Sequence, residues 1–568
     1  MLRKAQPVPS TGAQSVLLAL KANGVDYLFA NAGTDFPPII EALASLDPDL
    51  LPQAVTVPHE TASMAMAHGY YLVTGQAQAV MVHVNVGLAN AVMGVINAAS
   101  DNIPVMVMSG RTPITEFGRL GSRATPIQYG QEMYDQTSLV RDVVKFTYEM
   151  RYPEQGAALV GRALTLAKSE PQGPVYLSLP REPLDELIPE AGSAWPAVQK
   201  PASGAQPDAG LIDDLAKRLA TAKAPVILCQ RSDPQGRTAK ALSSLAARHA
   251  IGVVEPFSVR NVLRFDDPSL LGYDATKALQ EADVIVVVDC DIPWIALNQT
   301  PNSQAYVAHI GPDPHFQRMP VRGYQTDMAL TSDPCAAIVA LDNALSHIAV
   351  ETSVRRATLV QKSAVRVNLM SQKAEIPEAA ITAEWMSKCV ADIMDDRAVA
   401  FTELGLLPQF MTLAGANRLF SNVHAGGLGW AMPAALGAQL ADRDRLVIAA
   451  MGDGSYMFAN PVACHQIAES LGLPILTIIK NNGMWNAVRR SVVRGYPQGA
   501  AAKANVMPLT SLEPVPDFTM IAAASRAHVE RCETPADLPA ALARAVAVIR
   551  SEKRQVLLDL RVAVSEIF

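Results

Sequence analysis

Two apolar runs in the last third of the chain each end on a polar point. RLVIAAMGD closes on Gly452-Asp453-Gly454-Ser455, and LPILTIIKNN closes on Asn481-Asn482-Gly483. Both runs have the length and the Val/Ile/Leu content of strands covered on both faces, the pattern of a parallel sheet flanked by helices. Open α/β sheets bind ligands at the carboxyl ends of their strands. An acid on one strand end and an amide on the next therefore define one oxygen-rich point. Mg2+ takes oxygen ligands in near-octahedral geometry and is usually held by one or two side chains plus ligand phosphates. Gly454 lets a phosphate approach the backbone, and a helix opening near Ser455 offers unpaired N–H groups to an anion. An ordinary turn capped by Asp453 and Ser455 would use the same residues. The second polar strand end favours the metal–diphosphate reading.

A chain of 568 residues exceeds what one hydrophobic core supports, so three or four domains are expected. The net charge of −7 and the absence of a basic stripe argue against a nucleic-acid partner. The longest apolar runs (DVIVVVDC, VILC, LVIAAM) are strand-sized, so no membrane span is expected. The amino-terminal MLRKAQPVPSTGAQ has two positive charges and no apolar core behind them, and is not expected to be a signal peptide. Six cysteines lie scattered without CxxC spacing, which favours a reducing compartment, the cytoplasm by default.

Helical and strand-like stretches alternate in three blocks. The first, 1–186, runs through TGAQSVLLALKANG, YLFANAG, AQAVMVHVNVG and IPVMVMSG to GPVYLSLP. A Pro/Ala/Gly/Ser-rich linker spans 187–208. The second block, 209–348, carries APVILCQ, GVVEPF, ADVIVVVDCD and AYVAHIG, and a helical connection fills 349–380. The third block, 381–568, holds the polar strand ends and finishes on QVLLDLRVA. The expected architecture is α/β, three doubly wound parallel-sheet domains in series.

GDGS followed by under thirty residues and then NN resembles the signature of the thiamine-diphosphate-dependent enzymes of the acetolactate synthase, benzoylformate decarboxylase and pyruvate decarboxylase superfamily. The resemblance covers nearly the whole chain. It implies pyrimidine-binding, central and diphosphate-binding domains, with thiamine diphosphate and Mg2+ as cofactors. Asp453 and Asn482 would bind the metal by side chain and Met484 by its carbonyl, with Gly452, Gly454 and Ser455 around the diphosphate. The stretch between the acid and the amides is two residues longer than in benzoylformate decarboxylase, so Asn481 stays an alternative to Asn482.

Val57-Pro58-His59-Glu60 lies ahead of the small-residue helix TASMAMAHGYYLVTG. A Glu at a helix start complements the dipole. In the resembling family it hydrogen-bonds the aminopyrimidine and relays the proton that activates the cofactor, which is the role implied for Glu60. Ala425-Gly426-Gly427-Leu428-Gly429-Trp430 matches the family's GGLG pattern. There Leu428 would wedge the cofactor into its bent form and Gly426 would accept from its amino group. Gly405 and Leu406, after the strand AVAF, fall where the family contacts the diphosphate; this chain could do so only through backbone amides. Asn90 is also assigned to the cofactor.

The substrate side is read from loops. His83 ends a strand at the place of an active-site histidine in benzoylformate decarboxylase, and near-neutral titration would let it move a proton. A hydrogen-bonded structural histidine fits the same position. Thr34, in Asn31-Ala32-Gly33-Thr34-Asp35, could hold a substrate carboxylate or simply form a turn. Gln131, in Tyr129-Gly130-Gln131-Glu132, resembles the Gln-Glu pair of acetolactate synthases and would face the reacting group. His59 and Trp485 complete the expected pocket, although Trp485 also suits a packed core. Arg489-Arg490 read as a solvated helix face. Gln230-Arg231-Ser232-Asp233-Pro234-Gln235-Gly236 replaces the glycine-rich turn of FAD-carrying relatives, so FAD is not expected.

The function expected is a thiamine-diphosphate- and Mg2+-dependent lyase or transferase acting on a small-molecule 2-oxo acid or related carbonyl compound. His83 leans towards decarboxylation and Gln131-Glu132 towards carboligation, with a C–C hydrolase or acyl-CoA lyase as alternatives. A homodimer at minimum, and a homotetramer as the larger assembly, is implied by the family's shared active sites. A dinucleotide-dependent oxidoreductase would need G-x-G-x-x-G after a strand, and none is present. A non-catalytic relative would lack Glu60, Asp453 or Asn482.

Overall fold

The computed structural model describes residues 8–190, 198–421 and 423–564. The first seven residues, and 191–197 of the expected linker, lie outside that description. Two compact units are present: Met1–Ser203 with Val423–Ala441, and Gly204–Asn422 with Asp442–Phe568.

The first unit is built on a six-stranded sheet of β1 (Tyr27–Ala30), β2 (Gln53–Thr56), β3 (Gln78–Val82), β4 (Val105–Arg111), β5 (Thr147–Glu149) and β6 (Val175–Pro180), ordered β2-β1-β3-β4-β6-β5. The second unit holds two sheets. One contains β7 (Pro225–Cys229), β8 (Gly252–Val254), β9 (Leu270–Gly272), β10 (Val284–Val288), β11 (Tyr306–Gly311) and β12 (Met328–Thr331), ordered β12-β11-β10-β7-β8-β9. The other contains β13 (Val399–Glu403), β14 (Leu419–Phe420), β15 (Val447–Gly452), β16 (Leu476–Asn481), β17 (His528–Cys532) and β18 (Val556–Arg561), ordered β14-β13-β15-β16-β18-β17. Neighbouring strands in all three sheets pair parallel. The expected three doubly wound parallel sheets are what the chain forms.

Central strands such as β3, β7, β10 and β13 are buried along their whole length, as parallel sheets covered on both faces require. Helix starts follow local chemistry. Thr11, Asp208, Asp333 and Thr382 each accept a backbone N–H from the first turn of the helix they open.

One packing detail positions the site of the first unit. The helices Glu60–Thr74 and Ala431–Ala441 touch backbone to backbone. A Cβ on Gly69 would fall 2.0 Å from the Ala434 carbonyl oxygen, and one on Gly437 would fall 2.0 Å from that of Met66. Val423–Ala441, which sequence order puts in the third block, thus packs within the first unit.

Candidate active site

Glu60 is the first residue of its helix and is 6% exposed. Its carboxylate lies between two amides: Asn31 Nδ2 donates to Oε1 at 2.9 Å and Asn90 Nδ2 to Oε2 at 3.2 Å. Asn90 also accepts the Thr61 hydroxyl on its carbonyl at 3.3 Å, tying the two helix starts together. The missing side chain of Gly87 leaves one face of the carboxylate clear, since a Cβ there would stand 3.2 Å from Oε1. His59 caps the helix, its Nδ1 accepting Thr61 N–H at 3.3 Å.

Beside Glu60 lies a pair that the sequence reading half anticipated. His83 follows β3 and stands at the start of the helix Val84–Ser100, where its side chain makes no capping hydrogen bond. Its Nδ1 is 2.5 Å from Asp35 Oδ1, and its Nε2 is 3.1 Å from Gln131 Nε2. Asp35 Oδ2 accepts Val84 N–H at 3.2 Å. Val84 has φ +34°, in a region that β-branched residues avoid at a cost of about 1–3 kcal/mol. The hydrogen bond to Asp35 raises the His83 pKa above its ordinary value; burial opposes the rise, and the charges of Asp35 and Glu60 add to it. Asp35 was read only as the end of a turn, and it is buried and aimed at His83. Thr34 beside it is exposed.

Gln131 and Glu132 diverge. Gln131 is buried against His83, whereas Glu132 joins Arg111 at 2.7 Å, Arg123 at 2.5 Å and the Thr112 hydroxyl at 2.5 Å. Burial would lift the Glu132 pKa, but those partners hold it below the usual value. Glu132 is thus part of an ion-pair cluster.

The glycine loop before Ala431 is fastened to the first unit. Asn97 Nδ2 donates to Gly427 O at 2.9 Å and Asn97 Oδ1 accepts Gly427 N–H at 3.2 Å. A Cβ on Gly427 would collide with Asn97 at 2.5 Å. Gly426, at φ +70°, adopts a conformation suited to glycine, and Leu428 is partly buried. Asn97 was not singled out from sequence, because it reads as one more polar residue in an apolar helix.

The second unit carries the polar strand ends. Asp453 opens the short helix Asp453–Phe458 directly after Gly452, so the helix begins two residues ahead of Ser455. Asp453 Oδ1 accepts Gly454 N–H at 2.8 Å, and Oδ2 accepts the N–H groups of Asn482 at 3.1 Å and Gly483 at 2.7 Å. Burial raises the Asp453 pKa, and hydrogen bonds from Gly454, Gly483, Asn482 and Met484 counter it. The two amides that follow differ. Asn481 is buried and engaged, donating to Asp559 Oδ1 at 2.9 Å and accepting from Arg561 at 3.1 Å. Asn482 accepts only the local Met484 N–H at 3.1 Å among the bonds described, and it is partly exposed. The Asp453 carboxylate, the Asn482 amide oxygen and the Met484 carbonyl, which also accepts Asn486 N–H at 2.9 Å, are oxygen donors of the kind Mg2+ takes and could hold it together with phosphate oxygens.

Other expected residues are packed or already hydrogen-bonded. The space beside Gly454 is filled by the Trp485 ring, whose Cζ3 would be 2.2 Å from a Cβ. Trp485 also meets Phe458 edge-on at 5.8 Å between centroids. Leu406 N–H donates to Thr402 Oγ1 at 2.7 Å, so that amide is already engaged. Gly405 is required by β15, because a Cβ there would lie 2.5 Å from Ala450 O. Ser455 is buried. Arg490, read as part of a solvated face, is in fact 9% exposed. The helix Asn486–Gly495 turns it inward, where its charge, after burial itself, helps push Lys480 down to about 8. In the central sheet, Arg231 follows β7 and pairs with Asp291 at 2.7 Å.

One cluster surrounds Glu60 in the first unit, and another surrounds Asp453 in the second. The family described as thiamine pyrophosphate enzyme, N-terminal TPP binding domain, matches residues 10–139; the corresponding central domain matches 212–341, and the C-terminal TPP binding domain matches 405–560. The chain belongs to the thiamine-diphosphate-dependent enzyme superfamily. It is 24% identical to the catabolic acetolactate synthase of Raoultella terrigena over 489 residues, covering 84% of each chain. It is 26% identical to the acetolactate synthase large subunit of Parasynechococcus marenigrum (strain WH8102) over 541 residues, covering 91% of this chain and 82% of that one. Among solved structures, the 4-hydroxybenzoylformate decarboxylase of Rhodococcus jostii RHA1 superposes with a TM-score of 0.77 at 22% identity, covering 98% of this chain and 100% of that one. The benzoylformate decarboxylase from Polynucleobacter necessarius gives 0.78 at 20% identity, covering 98% and 99%. These structural likenesses show the shared fold. Among the described residues, no helix is long and apolar enough to cross a membrane.

Proposed function

We propose that the chain is a thiamine-diphosphate- and Mg2+-dependent lyase or transferase that breaks the C–C bond beside the carbonyl of a 2-oxo acid. The observation that carries this reading is the buried Glu60 carboxylate held between Asn31 and Asn90 with one face cleared by Gly87. Asp453, Asn482 and the Met484 carbonyl would hold the metal, and Asn481 is bonded elsewhere. The thiazolium of the bound cofactor supplies the electron sink. The chain's own residues would bind, orient and move protons: Glu60 would exchange a proton with the aminopyrimidine, and Leu428 and Gly426 would hold the ring in place. Orientation of that kind makes proton transfer effectively intramolecular.

Within this class the His83–Asp35 pair favours decarboxylation with protonation of the product, since a histidine beside a carboxylate can carry a proton near neutral pH. Carboligation in the manner of the acetolactate synthase relatives is the second reading, supported by Gln131 at the same point. FAD is not part of the proposal; the Arg231–Asp291 pair after β7 supports that. Trp485, His59 and Thr34 stay as candidates for the substrate side. A homodimer or homotetramer is proposed, supported by exposed apolar side chains at Phe117, Leu120 and Tyr134 in the first unit. A monomeric mass by sedimentation equilibrium would remove it. The cytoplasm is the proposed compartment, supported by six cysteines that are all free.

Glu60→Gln is the direct test. Cofactor binding is expected to persist while exchange of the cofactor C2 proton, followed by NMR after quenching, slows by about two orders of magnitude or more. Exchange at the wild-type rate would sink the reading.

A further inference from the structure

We propose that Asp35, His83 and Gln131 form a proton relay: Asp35 fixes the ring with its proton on Nδ1, and Gln131 keeps Nε2 hydrogen-bonded in both charge states by turning its amide. The relay rests on the functional reading above and assigns Asp35 and Gln131 as positioning residues.

The geometry is built from four separate stretches of chain. Asp35 receives two donors from consecutive residues, His83 Nδ1 at 2.5 Å and Val84 N–H at 3.2 Å. Val84 is held at φ +34° at this junction, and its N–H is fixed by the bond to Asp35. Two glycines make the room. A Cβ on Gly33 would lie 2.2 Å from His83 Nδ1, and one on Gly110 would lie 1.7 Å from Asp35 Oδ2. Neither glycine has a positive φ, so space is the reason for the missing side chain. Gly110 is in turn fixed by Gln136, whose Nε2 donates to its carbonyl at 2.9 Å and to Ser109 Oγ at 2.8 Å.

Carboxylate on Nδ1 dictates the tautomer. A neutral ring keeps its proton on Nδ1 and offers the Nε2 lone pair, which the Gln131 amide N–H meets at 3.1 Å. When Nε2 takes a proton it becomes a donor, and a half-turn of the same amide presents Oε1 to it. In the transfer itself the reacting group would take the amide's place at Nε2, giving its proton to the lone pair or taking one from the Nε2–H; before and after, Gln131 pairs with whichever Nε2 presents, so neither resting charge state leaves this half-buried nitrogen unpaired. The charged groups acting on the ring are Asp35 and Glu60; both favour the cation, and burial opposes it.

The test compares wild type with Asp35→Asn and Gln131→Leu in the full chain. With 15N-labelled histidine, the His83 resonances report tautomer and titration in cofactor-free protein. Asp35→Asn is expected to lower the His83 pKa by about one unit or more and to mix the two neutral tautomers. In protein loaded with thiamine diphosphate and Mg2+, the limb of the kcat–pH profile for a 2-oxo acid is expected to move with it. kcat should fall by about ten- to a hundredfold, with C2 proton exchange within about twofold of wild type. Gln131→Leu should preserve the tautomer and lower the kcat maximum. A His83 titration and tautomer identical in wild type and Asp35→Asn would overturn the relay, as would an unmoved pH profile in Asp35→Asn or an unchanged kcat maximum in Gln131→Leu. Loss of C2 exchange in wild type would sink the thiamine reading, and the cofactor-free titration would still judge the relay.

Discussion

Asn481 and Asn482 are adjacent amides with opposite surroundings. Spacing from Asp453 left the choice of metal ligand open, because it counts residues and does not register that β16 ends between them. In the folded chain Asn481 bridges Asp559 and Arg561 across to β18, while Asn482 projects past the strand end beside Asp453. The two substitutions should therefore part company. Asn481→Ala leaves the buried Asp559 carboxylate short of a donor and is expected to cost about 1–3 kcal/mol, read as a lower thermal midpoint. Asn482→Ala should keep the midpoint and weaken Mg2+ support of cofactor binding by about tenfold or more in a metal titration. The reverse pattern would transfer the ligand role to Asn481. Asp35 was equally hard to read: Thr34 and Asp35 look alike in a turn, and only β4 approaching through Gly110 distinguishes them.

The Asp453 helix is a short element held by a buried polar chain. Tyr456 Oη is 2.8 Å from His465 Nε2, His465 Nδ1 is 2.8 Å from Gln555 Oε1, and Gln555 Nε2 donates to the carbonyls of His465 and Ser525. Burial drives the His465 pKa down to about 4, with the Gln555 bond acting against it. The folded value lies below the unfolded one of about 6.5, so the unfolded chain takes up a proton that the folded chain refuses. This contribution to stability is present above about pH 6.5 and is lost as pH falls through about 4. Thermal midpoints followed over that range should decline more steeply for wild type than for His465→Gln; parallel curves would contradict this. A second element-level expectation concerns Gly437→Ala. Its Cβ would press on the Met66 carbonyl and cost about 1–3 kcal/mol or more by overpacking, seen as a lower midpoint of the first unit's transition. Sequence pattern located the central strands because each is a continuous apolar run. It passed over β5, β9, β12, β14 and β17, which are two to five residues long and form sheet edges, several of them partly exposed.

At the scale of the molecule, alternating apolar runs were enough to predict three doubly wound parallel sheets, since buried parallel strands and the helices between them leave a strong pattern. The placement of the helix Ala431–Ala441 against the Glu60 helix was not legible, because it depends on two glycines meeting carbonyls in space. The Glu60 and Asp453 stretches were each legible as motifs, whereas the side chains packed behind Glu60, His83 and Gly427 (Asn31, Asp35 and Asn97) were not. What the whole chain does is a question for one experiment. Purified protein is stripped of cofactor, reloaded with thiamine diphosphate and Mg2+, and given a panel of aliphatic and aromatic 2-oxo acids with and without an aldehyde acceptor. Carbon dioxide and organic products are followed together. The account predicts carbon dioxide release that requires both cofactors, with an aldehyde as product if His83 protonation dominates and a hydroxyketone or acetohydroxy acid if ligation does. Protein that binds no thiamine diphosphate and releases no carbon dioxide from any member of the panel would contradict it.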